Sequence, residues 1–147
     1  MMIQSTRHRK IAFSALLIPV LLCSACGKAN GRKPVFRVDG KVLYEGRPLA
    51  HAFLVFHPVN DAGPQVTRPT ATAENDGTFA PTTYEAADGA PAGEYAVTVE
   101  WHRPPTNDEV APGPNQLPAL YSKPASTPFK VRIVEGTNRL EPFQIKR

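Results

Sequence analysis

Apolar and polar positions alternate with a period of two along most of the chain after residue 34, most clearly in Glu94-Tyr95-Ala96-Val97-Thr98-Val99-Glu100-Trp101-His102. Tyr95, Val97, Val99 and Trp101 fall on one face and Glu94, Thr98, Glu100 and His102 on the other, the pattern of a half-buried strand. It predicts that Trp101 is buried with Tyr95 and Val97. Phe36, Val38, Val42 and Tyr44 alternate with Arg37, Asp39, Lys41 and Leu43, and Phe129, Val131 and Ile133 with Lys130 and Arg132. Phe143 and Ile145 share a face just after Pro142, which predicts an edge or a bulge there, because proline has no N–H to give a ladder. Residues 52–57 are apolar on both faces, as in a central strand. No window carries a helical stripe.

Turn chemistry separates these runs. Glu45-Gly46-Arg47-Pro48 breaks the first strand from the second. Asn75-Asp76-Gly77 predicts a hairpin between 70–73 and 78–81, and Gly136-Thr137-Asn138 predicts the last hairpin. About seven strands in a single domain-sized stretch predict an all-β fold, a seven-stranded Greek-key sandwich with function carried by its loops.

The N-terminus follows another pattern. Arg7, His8, Arg9 and Lys10 precede residues 11–22, which are apolar apart from Ser14. A bilayer core needs roughly 20 helical residues, so this run is too short to span and reads as an export signal. It ends in Cys23-Ser24-Ala25-Cys26-Gly27. The small pair before Cys26 resembles the bacterial lipobox, with Cys23 standing where leucine is usual. The resemblance implies cleavage between Ala25 and Cys26 and lipid attachment at Cys26. The chain then divides into a lipoprotein signal peptide (1–25), a flexible tether (26–34) and a β-sandwich domain (35–147). It implies a bacterial cell-envelope protein held to a membrane by its N-terminal lipid, the outer membrane where the cell has one. With Cys23 removed and Cys26 capped, no thiol is left for a disulfide or a structural zinc site.

Charge changes the picture little. The formal net charge is +4, but residues 35–147 hold 11 basic and 13 acidic side chains, so the domain is slightly acidic. That excludes the clustered Lys/Arg surface a nucleic-acid partner requires. Lys28, Arg32 and Lys33 place three positive charges in the tether, where they are solvated or lean on anionic headgroups.

The domain itself resembles carboxypeptidase regulatory-like domains. The run from Gly40 through Gly46-Arg47-Pro48 to Ala52 matches their strand, Gly-x-Pro turn and second strand. Asp76-Gly77-Thr78-Phe79 matches their hairpin, and Gly93-Glu94-Tyr95-Ala96-Val97 their Gly-x-Tyr-x-Val strand. Phe56-His57-Pro58, residues 88–93 and residues 121–128 extend the match over nearly the whole domain. The resemblance implies a transthyretin-like (prealbumin-like) sandwich in a short envelope lipoprotein, and it brings no catalytic residues.

Chemistry is correspondingly sparse. His51 and His57 lie about 20 Å apart along a strand, too far for one metal, and no close histidine pair exists. Glu74-Asn75-Asp76 lacks the twelve-residue frame of an EF-hand. There is no Gly-x-Ser-x-Gly elbow and no phosphate-binding glycine loop before a helix. The 5-hydroxyisourate hydrolases, which resemble transthyretin, end in Tyr-Arg-Gly-Ser, whereas this chain ends Phe143-Gln144-Ile145-Lys146-Arg147. Lys41 and Asn138 are candidates for a pilin-type isopeptide, which joins a Lys to an Asn beside an acid. The expectation is a non-enzyme without cofactor or metal. Residues 103–128 hold seven prolines in a 26-residue loop, long enough to be functional. Arg103, Asn107, Leu117, Leu120, Tyr121 and Lys123 are its candidate partner-binding residues, for an envelope protein or a glycan. Leu117, Leu120 and Tyr121 are equally able to dock as a plug covering a sheet edge. A purely structural lipoprotein and an enzyme with an unrecognised loop site are the alternatives. Exposure of Trp101 beside Tyr121 would favour a glycan.

Overall fold

The computed structural model describes residues 31–61, 66–102 and 113–147. Cys23, Ala25, Cys26, Arg103 and Asn107 lie outside them, as do the signal segment and most of the tether. The described part from Arg32 onward forms a single unit. It is all-β, with no α-helix among the described residues. The strands are β1 (Val35–Phe36), β2 (Val38–Tyr44), β3 (Arg47–Pro48), β4 (Phe53–Pro58), β5 (Thr70–Thr72), β6 (Thr78–Phe79), β7 (Ala90–Pro91), β8 (Gly93–Glu100), β9 (Lys130–Ile133), β10 (Asn138–Arg139) and β11 (Phe143–Ile145). A 3-10 helix, Ala119–Ser122, precedes β9. Eleven strands stand where the pattern predicts about seven, because single residues such as Arg37 and Ala92 interrupt runs that alternate without a break.

One sheet is antiparallel in the order β5-β4-β8-β9. The central place of β4, expected from its two apolar faces, is observed. The other is built on β2, which pairs antiparallel with β3 and β6 and parallel with β10 and β11. The carbonyls of Arg37 and Asp39 and the N–H of Glu45 face β10 and β11, whereas the N–H and carbonyl of Val42 face Gly77 and Leu49. The two sets of partners therefore lie along opposite edges of β2. A short pair, β1 with β7, continues from the starts of β2 and β8.

Of two predicted hairpins, the second is corrected. The turn at Asn75-Asp76-Gly77 forms, with the Glu74 N–H donating to the Thr78 carbonyl at 2.8 Å, and its arms stay joined at Thr70 and Thr82, which exchange both backbone hydrogen bonds, while β5 also joins β4 and β6 also joins β2. Gly77 has φ +80°, and a Cβ there would sit 2.5 Å from the Val42 carbonyl oxygen, so the turn requires glycine. Gly136-Thr137-Asn138 likewise carries the chain from β9 in one sheet to β10 in the other. The Asn138 amide holds that crossing: its Oδ1 accepts the Val134 N–H at 2.9 Å, and Nδ2 donates to the carbonyls of Val134, Arg37 and Gly136. Its hydrogen-bonding groups are thus engaged with the backbone rather than with Lys41.

At Pro142 the expected irregularity is present. Asn138 pairs with Val38 but Phe143 pairs with Val42, so the C-terminal run carries one extra residue against β2 between β10 and β11.

The core gathers inward residues of both sheets: Val38, Val42, Phe79, Phe143 and Ile145 from one, Leu54, Phe56, Tyr95, Val97, Val99 and Ile133 from the other. Phe56 meets Phe79 edge-on across them, with ring centroids 6.3 Å apart, and Phe79, Phe143, Phe129 and Tyr121 continue the contact in sequence. Gly40 makes room for this, since its position on β2 lies directly under the Phe79 ring. Thr98, read from its spacing as solvent-facing, is buried, and its hydroxyl meets the imidazole of His57 from the neighbouring β4 at 3.0 Å.

Candidate functional site

Strand direction sets the ends of the molecule. Val35 pairs with Pro91, and from that pair β2 and β8 run onward, roughly 23–27 Å at about 3.3 Å per residue. At the starting end the last tether residues are tied down: the Arg32 guanidinium lies over the Tyr84 ring, the Lys33 N–H donates to the Tyr84 hydroxyl, and Lys33 Nζ pairs with Asp61 at 2.6 Å. At the far end, the turn after β2 and the end of β8 enclose a cleft of about 630 Å³. Tyr44, Glu45, Arg47, His51, Trp101 and His102 line it, with Pro48, Leu49 and Ala50 between them.

The local backbone explains how these side chains converge. Glu45 and Gly46 both have positive φ (49° and 76°), the geometry of a tight two-residue hairpin turn, and Tyr44 faces Arg47 across it. The chain then turns back at Ala50-His51, where His51 has φ 60°. Left-handed backbone is costly for any residue with a Cβ, so two strained positions, Glu45 and His51, border one cleft. Glu45 is tied by its Oε1, which accepts the Arg147 N–H at 2.7 Å. The imidazole of His51 has no hydrogen bond to another described residue.

Trp101 is half-buried rather than buried, and packs against the edge of the core. Its indole N–H donates to the Ala50 carbonyl at 3.1 Å, fixing the ring in the cleft wall. Its backbone N–H donates to Asn115 Oδ1, and its carbonyl accepts the Gln116 N–H. These bonds fasten the returning end of the proline-rich loop to the end of β8.

His102 is the most polar element of the wall. Nδ1 faces the Gly113 carbonyl at 2.7 Å and Nε2 faces Glu100 Oε2 at 3.1 Å. Both neighbours are acceptors, so the imidazolium satisfies both and a neutral ring only one. The Gly113 carbonyl and then the Glu100 carboxylate raise its pKa above the ordinary histidine value. His57, by contrast, sits on β4 with Nε2 3.0 Å from Thr98 Oγ1, and burial lowers its pKa, with Arg68 adding to the effect. No group of three or more His, Cys, Asp or Glu suited to a metal occurs among the described residues.

The described loop residues divide. Leu117 and Tyr121 are each 6% exposed and belong to the core, whereas Leu120 is 43% exposed and Lys123 is at the surface. Tyr121 stacks on Phe129 and its hydroxyl accepts the Lys146 N–H at 3.0 Å, which leaves it no face for a ligand. Thr127, also buried, donates to the Val97 carbonyl at 2.6 Å. The loop from Gly113 onward thus packs over β8 by a few anchor residues. The cleft was not foreseen from the sequence. Its only local sign was a histidine following Ala50 in a turn, a placement that strains any residue with a Cβ.

No family model matches the chain, and no curated protein matches it. Among solved structures it is similar to a DUF3823 family protein from Parabacteroides merdae, at 15% identity and a TM-score of 0.41, over 78% of this chain and 46% of that one. The chain spans about half the length of that protein.

Proposed function

We propose that this is a lipid-anchored protein of the bacterial cell envelope, acylated at Cys26, whose non-catalytic β domain binds a partner on the loops at the end of the strands farthest from the tether. The observation that carries the reading is this polarity. Residues next to the proposed anchor are held at one end by Tyr84 and Asp61, and the cleft of Tyr44, Arg47, His51, Trp101 and His102 opens at the other. The six peptide steps from Cys26 to Arg32 reach at most about 20 Å, so a membrane-bound domain would stay close to the lipid while offering the cleft outward.

The finer fold assignment belongs to the same proposal: a Greek-key, transthyretin-like sandwich of the carboxypeptidase regulatory-like kind. It is supported by the Tyr95 hydroxyl, which donates to the Pro91 carbonyl four residues upstream at 2.8 Å, as tyrosines do at the corners of immunoglobulin-type sandwiches. Burial pushes this phenol up to about 12, keeping it a donor at any physiological pH.

The test is fractionation. Wild-type protein is expected in the membrane fraction and to incorporate labelled fatty acid, and Cys26→Ser is expected unlabelled in the soluble fraction. Retention of the unlabelled variant on membranes would overturn the anchor.

A further inference from the structure

We propose that the cleft is a binding site for an acidic saccharide, a pyranose carrying a carboxylate, stacked on the aromatic wall, held through its charge by Arg47 and hydrogen-bonded by His51. This rests on the reading of the domain as a binding module and gives it a ligand class.

Much of the backbone around the cleft is already paired. The Trp101 N–H and carbonyl are bound to Asn115 and Gln116, the Leu49 N–H to Val42, the His51 N–H to Ala73, and the Ala50 carbonyl to the Trp101 indole. A peptide adding as an extra strand needs a continuous row of free main-chain groups, and these bonds interrupt any such row. Recognition therefore falls to side chains.

Two of them, Tyr44 and Trp101, are half-buried aromatics. With its N–H committed to Ala50, Trp101 meets a ligand as an apolar surface. Pro48, Leu49 and Ala50 continue that surface. A pyranose has one face of C–H groups suited to such a wall.

Charge then selects among sugars. Of the acids at this end, Glu45, which also lines the cleft, accepts the Arg147 N–H through Oε1, and Glu100 faces His102. Neither the Arg47 nor the His51 side chain makes a hydrogen bond or ion pair with another described residue. The Arg47 guanidinium is therefore a lining cation that no carboxylate of the described residues pairs. A guanidinium is the side chain best matched to a carboxylate, by two parallel N–H bonds. The strain at His51 fits the same purpose, since a left-handed backbone there holds an imidazole that makes no bond within the fold.

The chain has one tryptophan, Trp101, so its fluorescence reports on the cleft directly. The experiment titrates the purified protein at pH 6 with trigalacturonate, with the neutral trisaccharide maltotriose, and with inorganic phosphate. A saturable change with trigalacturonate alone is expected. Arg47→Gln, at an exposed site, should weaken it about tenfold or more, the loss expected for one charge-assisted contact. His51→Asn should also weaken it while the melting temperature holds or rises, because asparagine tolerates the left-handed backbone better. No saturable change, an equal response to maltotriose or to phosphate, or an unaffected Arg47→Gln protein would each overturn the proposal. The anchor is read separately by Cys26→Ser fractionation, so a failed titration with the anchor intact removes the ligand and leaves the envelope location standing.

Discussion

At the scale of single residues, two histidines that look equivalent in the sequence have opposite effects on stability. The raised pKa of His102, from the Gly113 carbonyl and Glu100, means that the folded state favours the proton. Its contribution is full below the ordinary value of 6.5 and is lost as pH rises through the raised value. Burial lowers the pKa of His57, so its contribution is intact above 6.5 and is lost as pH falls through the lowered value. Titrating the imidazole C–H signals by NMR should place His102 above 6.5 and His57 below it; the reverse order would mean that the loop base at Gly113 is not held as described. Spacing along the chain could not separate the two, because what distinguishes them is the partner each meets after folding: a carbonyl from the returning loop for one, Thr98 on a neighbouring strand for the other.

At the scale of elements, the alternating pattern identified which residues face inward but not which strands pair. Burial on β9 and β11 follows the period of two closely, since burial on one face is what that period records, whereas on β8 Ala96 and Thr98 are buried along with Tyr95, Val97 and Val99. Turn residues mark a reversal without saying whether the chain stays in its sheet. Asn75-Asp76-Gly77 and Gly136-Thr137-Asn138 both turn as expected and lead from one sheet toward the other, but only the first keeps its arms paired, at Thr70 and Thr82. The second depends on a side chain more than on its glycine. Asn138→Ala should cost about 2 kcal/mol in urea unfolding, because the N–H and carbonyl of Val134 and the carbonyl of Gly136 lose their bonds to the amide. A cost under about 0.5 kcal/mol would show that the crossing holds its shape without the amide.

Across the whole molecule, the aromatic contacts from Phe56 through Phe79, Phe143 and Phe129 to Tyr121 tie together both sheets, the C-terminal strand and the described end of the proline-rich loop. Phe143 is the middle of this chain of rings, stacked on Phe129 at 4.6 Å. Phe143→Ala should therefore cost about 3–5 kcal/mol and weaken near-ultraviolet circular dichroism from more than one ring. A loss below about 1 kcal/mol would mean that the sheets are held elsewhere. The all-β class was readable from the sequence because periodicity and turn residues report it. The cleft was not, because it is made where Tyr44, His51 and Trp101, distant along the chain, reach the same end of two sheets. The pairing of β2 with β10 and β11 also bears on how the polypeptide acquires its shape. Val38 has its parallel neighbour at Asn138, about a hundred positions downstream, so an edge of the first long strand stays bare until nearly all the chain has been made. Such distant closure is slow. A chain delivered N-terminus first would spend its passage incomplete and would close β2 only once residues 138–145 arrived.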